Sequence, residues 1–128
     1  MMELLAPAGN REALERAVAA GADAVYLGCT AFSARAGAGN FTPEELRDAV
    51  RLCHLHGVRV HVTVNTLIKD AELAAVTDVL RLLAKTRVDA VLVQDLGVLR
   101  ILRRRFPEQT VHASTQMSLH NRTGASWA

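Results

Sequence analysis

The sequence predicts an α/β fold: parallel (β/α) repeats forming part of a TIM-type barrel, with about five of its eight strands present. Short apolar runs alternate with helix-period segments along the 128 residues with no hairpin turn between them, so the strands run parallel. Half the residues are hydrophobic yet only 4% are aromatic, a balance that suits strands buried under helices. The stretch Val58–Asn65, VRVHVTVN, decides between architectures. Its valines share one face, while Arg59, His61, Thr63 and Asn65 share the other. A doubly wound sheet covers both faces with helices, whereas a barrel turns one face inward, where polar groups gather at one end. The first strand also lacks the G-x-G-x-x-G turn of a dinucleotide fold.

Each element follows from its own signals. Glu3 to Ala6 is a short strand, and Asn10 caps a helix over Arg11 to Ala20 that Gly21 ends. Ala24 to Gly28 is the second strand. Thr42-Pro43-Glu44-Glu45 combines an N-cap, a proline at the first helical position and a capping-box Glu, opening a helix to about His56 that Gly57 stops. Val58 to Asn65 is the third strand. Asp70 to Lys85 is a helix with Leu73, Val76, Leu80 and Leu83 on one stripe. Ala90 to Gln94 is the fourth strand, and Leu96 to Phe106 a helix that Pro107 stops. Thr110 to Gln116 is the fifth strand, and Asn121 begins a last helix.

Composition excludes several classes. A formal charge of +2 does not by itself imply nucleic acid. The two cysteines, Cys29 and Cys53, make neither a disulfide framework nor a zinc spacing, so a reducing compartment is expected. The start has no signal-peptide pattern and no run is long enough to cross a membrane, so the expected location is cytoplasmic and no membrane partner is expected. A whole barrel takes about 250 residues. Residues 1–128 therefore read as the N-terminal part of a (β/α) barrel domain truncated at its C-terminal end. Its open edges are expected to self-associate or to contact the missing barrel half.

The strand ends carry the candidate site, because a parallel barrel gathers them on one rim. Asn65, Gln94, Ser114 and Gln116 have amides and hydroxyls that suit orienting a polar substrate and that equally satisfy loop backbone. Pro7 lies in a turn of small residues, Ala6-Pro7-Ala8-Gly9, which leaves room beside the backbone and also simply shapes the turn. In the long second loop Arg35 is a candidate clamp for a carboxylate or phosphate, with Asn40 beside it. Asp95 fits a helix N-cap better than a group that orients a base or binds a cation. The glycines of Gly37-Ala38-Gly39-Asn40 lie far from a strand end and are weak evidence for a phosphate cradle.

A complete catalytic set is missing. Ser114 lacks the G-x-S-x-G elbow, and His112 shares its face but lies two residues away. Cys29 has no histidine tied to it by sequence. Cys53 and His56 are spaced for a shared helix face, but a histidine at a helix C-terminus is explained by the dipole. His61 and His112 are expected inside the barrel with hydrogen-bond partners. Arg100, Arg103, Arg104 and Arg105 form a short basic face, a candidate for touching RNA that reads first as a solvated helix face.

The motifs ELLAPAGN, AGADAVYLG, FSARAGAGNFT and HASTQMSLHN, in this order over residues 3–121, resemble the collagenase-like peptidase family of unassigned catalytic type. Cys29 stands where that pattern more often has a second glycine. The resemblance implies a barrel-like N-terminal domain and, in the full-length protein, an enzyme acting as a peptidase or hydrolase or in RNA or quinone hydroxylation. It implies a substrate that is a peptide, RNA or small carboxylate. It further implies an iron–sulfur cluster in hydroxylase-type relatives, on cysteines beyond this region. This chain alone is expected to bind no cofactor or metal and to be inactive as a fragment. The alternatives are a barrel binding a small phosphorylated or carboxylated metabolite and a non-catalytic scaffold.

Overall fold

The computed structural model describes residues 2–34 and 40–128. Strands β1 (Leu5–Pro7), β2 (Ala24–Gly28), β3 (Arg59–Val64), β4 (Ala90–Val93) and β5 (Val111–Ala113) form one sheet in that order, every pair parallel. Helices α1 (Arg11–Ala19), α2 (Pro43–Leu55), α3 (Leu73–Thr86), α4 (Leu96–Arg105) and α5 (Arg122–Trp127) follow the strands one by one. Sequential order with a helix after each strand is an arc of a (β/α) barrel. A doubly wound sheet would reverse its order at a switch point.

The alternation seen in the sequence becomes two faces. Val25, Leu27, Val60, Val62, Val64, Val91 and Val93 are buried in one core with Leu14 of α1, Leu46 of α2, Leu80 of α3 and Leu102 of α4. The opposite face carries Tyr26, His61 and Ala90 at one level, and Gly28, Thr63, Leu92 and His112 at the next. Both His61 and Thr63 are buried, so the polar face of β3 is interior.

Local chemistry sets the helix ends. The side chain of Asn10 accepts from Ala13 N at 2.8 Å, and Asp95 Oδ1 accepts from Val98 N at 3.0 Å. Thr42 Oγ1 accepts from Glu45 N while Glu45 Oε2 accepts from Thr42 N, closing the capping box. Gly21 and Gly57 adopt φ of 85° and 70°, the left-handed conformation that a helix C-terminus favours in glycine.

Most boundaries shift by a residue or two from the sequence reading, and three of the differences have a local cause. β1 includes Pro7; Ala8 N donates to Tyr26 O, so alternation turns the proline nitrogen to the open edge, where no donor is needed. The third helix opens with a 3₁₀ turn over Asp70–Glu72, because Lys69 has no capping side chain and Glu72 N bonds back to Lys69 O. β5 stops at Ala113. There the Ser114 hydroxyl accepts from Gln116 N and starts a 3₁₀ turn over Thr115–Met117, a local bond that competes with strand pairing.

The lower, N-terminal ends of the strands are held by a device that occurs twice. Asp23 Oδ2 accepts from Leu4 N at 2.7 Å, and Asp89 Oδ2 accepts from Val60 N at 2.7 Å. Each aspartate opens a D-A-V stretch and clamps the strand before it. His54 Nε2 lies 2.9 Å from the same Asp89 oxygen, and Arg59 bonds Glu3 at 2.6 Å.

Candidate functional site

The upper, C-terminal ends hold a cavity of ≈ 520 Å³ over the interior face. Tyr26, Thr63, Asn65, Leu92, Ser114 and Gln116 are among the residues lining it. Its left wall is built by the loop after β2. Thr63 donates its hydroxyl to Leu27 O at 3.2 Å, so the Ser33 hydroxyl, 2.9 Å away, is the donor to Thr63 Oγ1. Asn65 Oδ1 accepts from Ala34 N at 3.1 Å, which fixes the amide and leaves its NH2 group as donor. Phe41 closes the loop by bridging to Cys29, with Phe41 N donating to Gly28 O at 3.1 Å.

Gly28 makes this closure possible. A Cβ there would stand 2.5 Å from Ser33 Oγ and 2.8 Å from Asn40 Oδ1, closer than atoms can approach. The loop therefore lies directly on the β2 backbone, and only glycine leaves room for it.

The structure brings some sequence candidates together and separates others. Asn65, Ser114 and Gln116 line the same cavity. Gln116 reaches it from the 3₁₀ turn rather than from a strand. Asn40 sits against Gly28 at the back of the loop. Half-buried Gln94 and exposed Pro7 are not among the cavity's lining residues. Arg35 lies outside the described residues. Asp95 is a cap, and its second oxygen accepts from Ile68 N at 3.2 Å, tying down the loop after β3.

Below the cavity, His61 and His112 meet edge to face, ring centroids 5.0 Å apart. Their expected hydrogen-bond partners are not found among the described residues; each imidazole instead contacts the other across β4, where Ala90 presents only a methyl group. Burial, and then the neighbouring His112, hold the His61 pKa below its ordinary value, so His61 is neutral at pH 7.

The thiols are poor nucleophiles. Burial pushes Cys29 up to about 11 and, with Asp89 adding to it, Cys53 up to about 11. Ser114 has its turn partner and, among the described residues, no base bonded to it. His56 Nδ1 lies 3.0 Å from Leu52 O, the bond of a helix C-terminus, and among the described residues no group of three His, Cys, Asp or Glu side chains could hold a metal ion. The site therefore offers neutral donors, acceptors and apolar surface, which is the chemistry of orientation.

The sequence profile of peptidase family U32 matches residues 9–128. The chain belongs to this family. Among U32 relatives, it is 40% identical over 119 residues to a tRNA hydroxylation protein P1 of Bacillus subtilis, spanning 93% of the chain and 28% of that relative. It is 36% identical to a collagenase of Porphyromonas gingivalis over 93% of the chain and 28% of the relative. An Escherichia coli 23S rRNA 5-hydroxycytidine synthase is 37% identical over 92% of the chain and 18% of the relative. The chain thus spans under a third of the length of these relatives. The solved U32 peptidase Mk0906 superposes with a TM-score of 0.78 at 18% identity, over 98% of this chain and 53% of that one, and it supports the fold.

The Gly28 contact and the Ser33–Thr63 relay were not singled out from sequence. The visible signal was the "LG" that ends β2; what it touches depends on a loop closing from 13 residues away at Phe41. No helix among the described residues is long and apolar enough to cross a membrane.

Proposed function

We propose that the whole protein hydroxylates RNA, and that this chain forms the N-terminal arc of its barrel and the substrate-orienting side of the site. One observation carries the reading. Among the described residues the cavity at the strand ends presents Thr63, Asn65, Ser114 and Gln116 and no nucleophile–base pair, which suits holding a nucleobase edge better than attacking a peptide bond. Amide and hydroxyl groups read a base by its donors and acceptors, while Tyr26 and Leu92 supply apolar surface for its faces. The similarity to the tRNA hydroxylation protein supports the same direction.

The residues of this chain do not fit an iron–sulfur cluster. A cluster takes Cys thiolates, whereas Cys29 ends β2 beneath a closed loop, Cys53 is inside α2, and both thiols are buried and protonated. The chain's part in the reaction is to bind and orient. RNA as substrate is consistent with a cytoplasmic protein.

The test is a deletion of the encoding gene, re-supplied in full length, with digested RNA read by nucleoside mass spectrometry. A hydroxylated pyrimidine nucleoside that disappears on deletion and returns on re-supply is expected. An unchanged nucleoside profile, with purified protein cleaving gelatin, would replace this reading by the peptidase one.

A further inference from the structure

Several backbone N–H groups are tied by side-chain oxygens from distant parts of the chain, and the oxygen is usually that of a carboxylate. Asp23 accepts from Leu4 N, Asp89 from Val60 N and Asp95 from Ile68 N. Among the described residues Asn65 is the exception, holding Ala34 N with an amide. An aspartate would hold that N–H more strongly, because a charged acceptor makes the shorter and stronger bond. The tie therefore accounts for the oxygen of Asn65 and gives no reason for its nitrogen.

The same bond orients the amide. An N–H needs an acceptor, so Oδ1 faces Ala34 and Nδ2 turns the other way, a donor with no partner among the described residues. Asn65 is half-buried and lines the cavity at the strand ends. Ser114 lines it too; its oxygen accepts from Gln116 N and its proton is left to donate. Thr63 differs, because its proton is already committed to Leu27 O. Leu92 pairs with Thr63 on β3 and with His112 on β5, and Asn65 and Ser114 each lie two residues further along. Two donors thus flank one apolar floor.

We infer that Asn65 selects the substrate base by hydrogen-bond polarity: its Nδ2 donates to a ring carbonyl oxygen and excludes a base that carries an amino group at that place. The inference rests on the RNA reading above and adds which residue discriminates between pyrimidines. Uracil carries a carbonyl on both sides of its N3, whereas cytosine replaces one of them with an amino group. That amino group would meet the Asn65 donor with no acceptor between them. Leaving a donor unpaired in this way forfeits about 5- to 150-fold in binding.

The experiment uses the deletion strain re-supplied with full-length protein, together with a plasmid copy of the modified RNA in which the mapped target uridine is replaced by cytidine. Nucleoside mass spectrometry reads hydroxylated uridine and hydroxylated cytidine, each normalised to folded protein. The unaltered protein is expected to hydroxylate the uridine and to leave the cytidine copy unmodified. Asn65→Asp keeps one oxygen on Ala34 N and turns the other, an acceptor, into the cavity. It is expected to lose hydroxyuridine about 5- to 150-fold and to gain hydroxycytidine on the cytidine copy. Asn65→Ala should lose hydroxyuridine without that gain. Gln94→Ala, at a strand end outside the cavity lining, should change neither. Circular dichroism melting of each variant separates misfolding from lost selection. Three results overturn the inference: hydroxycytidine as the product of the unaltered protein, undiminished hydroxyuridine in either Asn65 variant, or no more hydroxycytidine from Asn65→Asp than from Asn65→Ala. The last would assign the loss to the added charge. In all three the RNA reading stands, since a hydroxylated nucleoside still depends on the gene. If none does, the RNA reading falls and the selection with it.

Discussion

At their lower ends the strands are joined by charge: Asp23 holds the Leu4 amide, Asp89 holds the Val60 amide and the His54 ring, and Arg59 bonds Glu3. At their upper ends Asp95 caps α4 and holds the Ile68 amide, but the described lining of the cavity is neutral, with the Ser33–Thr63–Leu27 relay, the Asn65 amide and the Ser114 turn. A carboxylate that accepts from a backbone N–H makes a short, strong bond, which serves to lock the register of neighbouring strands. Neutral hydroxyls and amides bind more weakly and exchange partners readily, which leaves them available to a ligand. The lower end of the barrel arc is thus held mainly by charged clamps, and the proposed recognition of substrate falls to the neutral lining of the upper end.

The largest expected effect comes from breaking the lower end. Asp89→Ala leaves the part-buried Val60 amide without its acceptor and should destabilise the protein by about 2–3 kcal/mol. Denaturant titration measures this; a loss within experimental error would show that the clamp is decoration.

Gly28→Ala attacks the upper end. Its methyl group must displace Ser33, whose Oγ and Cβ would lie 2.5 and 2.9 Å away, so about 1–3 kcal/mol of strain is expected, together with an opened loop. Faster proteolysis between Cys29 and Phe41 reports that opening. Unchanged cleavage would mean that the loop does not depend on the contact.

Asn65→Ala should cost only about 1 kcal/mol, since one neutral hydrogen bond to Ala34 is lost. It should nonetheless lower hydroxylation strongly, because it removes the amide that faces the cavity. Comparable loss of stability and activity would place Asn65 with the structural residues.

The smallest effect is one of pH. The folded protein holds His61 below its ordinary pKa, so the folded state binds fewer protons than the unfolded chain just below pH 6.5. Stability from this group is complete above that value and falls as pH drops through it toward the folded pKa. Replacing His61 by Gln should flatten this part of the stability curve, and an unaltered curve would assign the acid sensitivity to another group.

The contrast between the two ends was only half legible in the sequence. The alternation in Val58–Asn65 revealed the two faces of the sheet, since side-chain period follows directly from strand geometry. The caps at Asn10, Thr42 and Asp95 were equally plain, because each acts within three residues of itself. The aspartate clamps were visible only as a repeated D-A-V, whose partners sit one strand away. Asn65, Gln94 and Ser114 were grouped by their places at strand ends; Asn65 and Ser114 line the cavity, and Gln94 is not among its lining residues. Gln116 was expected on a strand; a hydroxyl bond inside a turn moved it, and propensity does not register such a bond.

The most direct measurement compares the two ends in one experiment. Full-length protein carrying Asn65→Ala with Ser114→Ala, or carrying Asp23→Ala, is re-supplied to the deletion strain, with RNA hydroxylation normalised to folded protein and the melting temperature of each variant recorded. The upper-end variant should lose at least about tenfold in hydroxylation with little change in melting, as removal of about 1.4 kcal/mol of binding requires. The lower-end variant should melt earlier and keep its activity per folded molecule. Full hydroxylation by the upper-end variant, or selective loss of activity in the lower-end one, would contradict the division of the barrel into a stabilising end and a recognising end.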